Sequence, residues 1–261
     1  MNYAMLALIK KDFGGITSNR RLMLPVVLVP LILTVLLPSV FLLAIRFAPE
    51  DPDILKMLEL LPAKMRSDSV TQTAAGMILN YIMPAFFLMI PIMTSSIMAA
   101  GSFVGEKEKH TLETLLCCPL TLRQIFCAKV FASFLLSMFA SLLSFLVMIL
   151  VLGLESFFLM GTLLLPGANW ILVILLISPA ISLIAITLIV KGSAKAQSVE
   201  ESQQSAVFLI LPVILLVAGQ FSGLMLLRFP ILLIVGILCA LLAWVLLKKA
   251  MKRFTYELLL K

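Results

Sequence analysis

No charged residue interrupts the chain from Ser69 to Gly105, nor from Leu22 to Ile45, and a third uncharged run follows Lys129 as far as Leu154. Runs of this length constrain the fold more than any motif. A hydrocarbon core ~30 Å thick takes about 20 residues of helix, and only helices and closed barrels satisfy every backbone amide there. A fourth uncharged stretch runs from Ser156 to Val190, and between Ser202 and Leu247 the single charge is Arg228. Of the 261 residues, 62% are apolar and 13% charged, where soluble domains carry roughly 45–50% and ~25%. The chain is therefore expected to be an all-α integral membrane protein of about six transmembrane helices, forming one domain over residues 1–261.

Spans are expected at residues 22–45, 76–100, 130–154, 170–190, 205–227 and 229–247. The fourth begins near Trp170, because Pro166, Gly167 and Asn169 are turn formers and Trp favours the interface. Only a short connection around Arg228, Phe229 and Pro230 joins the last two. Gly219, Gln220, Ser222 and Gly223 stand where span five ends, and a helix broken there could re-enter the membrane. With the amino terminus inside, fifteen Lys and Arg fall on the cytoplasmic side and five outside. That satisfies the positive-inside rule and puts both termini in the cytoplasm, in a cell membrane of the bacterial plasma type. The net charge of +7 is explained by this topology and forms no basic stripe for nucleic acid. Cys117, Cys118, Cys127 and Cys239 make neither a disulfide framework nor paired zinc spacing, so no metal site is expected.

Residues 1–21 read as an interfacial helix with Tyr3, Leu6, Ala7 and Phe13 on one face beside Lys10 and Lys11, interrupted by Gly14 and Gly15. In the first external loop, Asp51 and Pro52 start a short helix carrying Leu55, Leu58 and Leu61. Between spans two and three, residues 105–118 read as a helix. Leu112, Leu115 and Leu116 share one face, Glu106, Lys107, Glu108, Lys109 and Glu113 lie largely elsewhere, and Pro119 ends it. Thr121 and Gln124 then form a capping box, with Leu120 and Ile125 as its hydrophobic staple. Ser198 and Glu201 form a second capping box, which starts span five.

The stretch GEKEKHTLETLLCCPLTLRQIFCAK resembles the type-2 ABC transporter permeases: a charged start, a Thr-Leu-Glu core, Leu-Leu, a Pro and a downstream Lys. KGSAKAQSVEESQQSA and KKDFGGITSNRRLMLP add support at the fifth and first spans. The resemblance implies a permease subunit of an exporter, paired with a second permease as homo- or heterodimer. Two ABC ATPase subunits would lie beneath it and bind the ATP and Mg, with no cofactor in this chain. It makes the helix between spans two and three the coupling helix. Glu106, Lys107, Glu108, Lys109, His110, Thr111, Leu112, Glu113, Leu115 and Leu116 become the ATPase contacts, with Pro119 and Lys129 shaping the return into the membrane. Sodium-exporting relatives tend to carry a larger external loop, which argues against ion export.

No catalytic constellation is present. His110 has no nucleophile at motif spacing, and no G-x-x-x-x-G-K-[ST] loop occurs, so the chain is not expected to be an enzyme. No Asp or Glu lies deep in a span, and Glu155 stands at an outer end. That counts against the alternative of a secondary carrier, which would keep an ionisable group at midplane. A further alternative, an intramembrane enzyme, lacks a nucleophile and base. Ser133, Ser137, Ser141 and Ser144 share one face of span three, either for close helix packing or as one wall of a substrate path. Pro25, Pro30, Pro38, Pro84, Pro91, Pro179 and Pro212 lie inside spans, where each removes a backbone bond and can kink the helix.

Overall fold

A computed structural model describes residues 3–47, 69–109, 111, 120–193, 196, 198–204, 207–221 and 229–253. Every regular element among them is helical. The short α1 (Tyr3–Thr17) is followed by six helices long and apolar enough to cross a membrane. These are α2 (Leu22–Phe47), α3 (Val70–Glu108), α4 (Leu122–Met160), α5 (Asn169–Ser193), α6 (Val199–Gly219, described on either side of residues 205 and 206) and α7 (Phe229–Lys252). Both ends of the described chain lie at one end of the bundle, here the terminal end. The helix expected over the external loop, the 222–228 connection, and His110 with residues 112–119 lie outside the described residues.

Local chemistry sets the helix boundaries. Ser69 Oγ accepts the N–H of Gln72 at the start of α3. The Thr121–Gln124 capping box opens α4: Gln124 N donates to Thr121 Oγ1 at 3.3 Å and Thr121 N to Gln124 Oε1 at 2.9 Å. Gly161, at φ +68°, takes the left-handed position that ends α4. At 39 residues, α4 is about 58 Å long, nearly twice the hydrocarbon core, so it projects well beyond the bilayer. The α3 helix is as long and turns at Leu88. Pro91 falls in the first turn of the segment that restarts at Met89, where its missing N–H leaves no helical bond unmade.

The prolines do more than kink. Three π-turns interrupt α2, α3 and α5, at Ile32–Leu36, Ile78–Ile82 and Val173–Ile177. Each is followed, two residues beyond its end, by Pro38, Pro84 or Pro179. A proline removes the donor for the carbonyl four residues earlier and its ring crowds that carbonyl. Here that residue is Thr34, Asn80 or Leu175, the middle of each π-turn. Widening the helix by one residue per turn relieves the crowding.

Helices α3 and α5 form the buried centre, while α2, α4, α6 and α7 leave most of their surface exposed for lipid or a partner. The larger apolar cluster fills the end away from the termini, around Ile45, Met77, Ile82, Phe87, Met148 and Ile177. In it Trp170 packs against Phe87 and Phe145, with ring centroids 5.3 and 5.2 Å away. A second cluster, with Val104, Phe126, Ile186 and Ile189, fills the terminal end. Gly236 of α7 permits close approach to α5, where a Cβ would stand 2.5 Å from Leu176 Cδ2.

Candidate functional site

At the terminal end, three helices meet around a buried charge cluster. The α1 helix is continuous through Gly14 and Gly15 to Thr17, against the expected interruption. Its Tyr3, Leu6, Ala7 and Phe13 face is exposed, as a lipid-facing surface would be, whereas Leu8 and Asp12 turn inward. Leu8 packs with Ile125 and Ala128 of α4, and Met5, Ile9 and Leu120 join that cluster. One turn further on, Asp12 meets Lys129 of α4, with Oδ2 and Nζ 3.6 Å apart. Lys129 Nζ lies 3.0 Å from Oε2 of Glu106, near the end of α3, and Lys11 Nζ is 2.7 Å from the other oxygen of that carboxylate.

Ser102 completes the cluster. Its hydroxyl donates to Asp12 Oδ2 at 2.6 Å, and its carbonyl accepts from Lys129 Nζ. The Phe103 ring centroid lies 5.6 Å from the same ammonium. The side chains of Lys129 and Asp12 are 3% and 4% exposed, that of Glu106 9% and that of Lys11 56%. Two cations face two carboxylates, so the cluster is neutral as a set. Removing one buried member would leave an uncompensated charge, at a cost of about 3–5 kcal/mol. The set therefore ties α1, α3 and α4 together where the chain leaves α3.

The structure places the expected coupling residues differently from one another. Glu106, Lys107 and Glu108 belong to α3 and do not begin a separate helix. Thr111 N closes the end of α3 on Glu106 O at 2.9 Å. Glu106 is turned into the protein, and Glu108 Oε2 accepts from Val199 N at 3.1 Å, meeting one of the open N–H groups at the start of α6. Of the three acidic groups expected to reach the ATPase, the two that are described, Glu106 and Glu108, thus have partners within the chain. Lys109 and Thr111 are exposed and Lys107 is half-buried, while His110, Leu112, Glu113, Leu115 and Leu116 lie outside the described residues. At the start of α6, Ser198 Oγ accepts from Glu201 N, the capping contact expected there.

The serine face of α4 is buried along its length. Ser137 Oγ lies 3.0 Å from Thr94 Oγ1 of α3, 3.1 Å from Ser182 Oγ of α5, and donates to Pro91 O. Ser141 donates to Ser137 O and Ser144 to Ala140 O. Small residues here bring three helices together with hydroxyls bonded across them. Of the four serines, Ser144 also lines a cavity of about 260 Å³ between α2 and α4, together with Thr34.

Sequence reasoning singled out neither Asp12 nor Ser102, and it placed Lys11 on the interfacial helix without a partner. A signal existed: Asp12 is the only acidic residue before Glu50, and it stands four residues after Leu8 on the same helical face.

Comparison with known proteins identifies the family. The family described as ABC-2 family transporter protein matches residues 55–245, well over half of the chain. No curated relative matches closely enough to compare. The matched region covers most of the bundle and the long helices that carry Glu106 and Lys129. With six apolar helices and this match, the chain is a multi-pass membrane protein of the ABC-2 family, the permease subunit that works with an ABC ATPase.

Proposed function

We propose that this permease moves its substrate outward, pairing with a second permease, identical or different, above two ATPase subunits on the cytoplasmic face. ATP and Mg²⁺ belong to those partners, and membrane lipid surrounds the exposed helices. The observation that carries this reading is the buried charge cluster of Lys129, Asp12 and Glu106, balanced by the part-exposed Lys11, which joins α1, α3 and α4 at the root of the 105–118 segment. A push on that segment reaches α3 and α4 through a joint that costs several kcal/mol to open. Glu106 and Glu108 then act inside the chain, while Lys107, Lys109, His110, Thr111, Leu112, Glu113, Leu115 and Leu116 supply the docking surface. Ser144 marks the part of the α4 serine face nearest a substrate path.

The test is reconstitution. The purified chain alone is expected to hydrolyse no ATP, and proteoliposomes holding it with its cognate ATPase to transport only when ATP is supplied. Changing Leu115 and Leu116 to Ala should weaken co-purification of the ATPase by about 2 kcal/mol or more, as loss of an interface hot spot does. Transport driven by an ion gradient without ATP would contradict the reading.

A further inference from the structure

The end of the bundle away from the termini holds a cavity of about 570 Å³, within the size range of small-molecule sites. Its polar lining comes from Gln72, Thr73, Asn80, Tyr81, Thr162 and Asn169, and every described residue that lines it is uncharged. The cavity of about 260 Å³ at the terminal end is the opposite in character, with Lys11, Asp12, Glu106, Glu108, Lys109 and Glu200 in its wall.

The wall is built by the π-turn of α3. Met83 N bonds to Ile78 O across that turn, so it is not the donor that Leu79 O would have in an α-helix. Pro84 offers no N–H to Asn80 O in an α-register or to Leu79 O in a π-register. Two side chains from the start of α5 take up these carbonyls: Trp170 Nε1 donates to Leu79 O at 3.0 Å and Asn169 Nδ2 to Asn80 O at 3.4 Å. The Asn80 side chain accepts from Gly167 N at 2.6 Å and donates to Gly76 O at 3.0 Å. Gly167 is required for that approach, because a Cβ there would lie 2.9 Å from Asn80 Oδ1. On this braced wall, the Thr162 hydroxyl oxygen is buried with no hydrogen-bond partner. Such a group costs roughly 1–3 kcal/mol until something bonds to it.

We propose that this cavity binds a neutral group rich in hydroxyls or amides, such as a sugar ring, at the exit side of the permease. Amide and hydroxyl side chains can both donate to and accept from such a group. A charged group would give up water and meet no counter-ion among the described lining residues. The proposal rests on the outward-transport reading only for its direction.

Trp170 reports on the site. The protein has two tryptophans, and Trp244 is exposed on α7, so Trp244→Phe leaves the buried indole beside the wall as sole emitter. In nanodiscs, titration with N-acetylglucosamine should give a saturable change in Trp170 emission. Glucosamine and glucuronate, the same ring carrying a charge, should bind at least about tenfold more weakly. Thr162→Val and Gln72→Leu should each weaken binding of the neutral sugar while the ATPase still co-purifies. A second set of nanodiscs containing a glucosyl diacylglycerol distinguishes a lipid-borne sugar, which would compete with the free one, from a soluble ligand, which alone would bind. The absence of a saturable change with both forms of neutral sugar, or equal binding of the charged rings, would overturn the proposal. Sugar binding that persists where proteoliposomes with the ATPase show no ATP-driven transport would count against the transport reading alone.

Discussion

Lys129 shows how one side chain can hold several helices in register. Its ammonium lies between Asp12 and Glu106, and Ser102 and Lys11 satisfy much of what remains of the two carboxylates. Lys129→Met leaves two buried acids facing each other and should destabilise the detergent-solubilised protein by about 3–5 kcal/mol, read as a lower unfolding temperature. Lys129→Met combined with Asp12→Asn and Glu106→Gln removes the cation and both anions together and should recover much of that loss. Helical periodicity put Glu106 on a polar face, because it sorts side chains by polarity and carries no information about partners a hundred residues away. The Asp12 pairing was hidden for the same reason, whereas Thr121 and Gln124 were legible because their contact spans three residues.

At the scale of elements, composition and charge reveal helices and their approximate ends, since the bilayer imposes both. The π-turns depend on what accepts or replaces the lost backbone bonds, and three of the seven intraspan prolines carry one two residues upstream. At Ile78–Ile82 the replacements are Trp170 and Asn169, from another helix. Pro84→Ala restores an N–H that competes for those carbonyls. It should draw α3 toward a regular α-helix, weaken the Trp170–Leu79 bond and shift Trp170 emission in the Trp244→Phe background. Unchanged emission would mean that packing alone holds the π-turn.

For the whole molecule, α3 and α5 are enclosed and the other four spans flank them, with the charge cluster at one end and the polar cavity at the other. The positive-inside reading of the sequence would put the cluster inside and the cavity outside. In a cysteine-free background, single cysteines at Lys107 and Lys252 should resist an impermeant thiol reagent in intact cells, and one at Lys64 should react. Labelling at 107 from outside would invert the orientation.

The central claim is that the Lys129 cluster transmits the movement of the ATPase into the bundle. It is tested most directly by the number of substrate molecules moved per ATP hydrolysed in proteoliposomes, using the triple variant with Lys129→Met, Asp12→Asn and Glu106→Gln, which removes the joint without leaving a buried charge. The account predicts a complex that assembles and hydrolyses ATP with a much reduced transport ratio. A variant that assembles and transports at the wild-type ratio would contradict it.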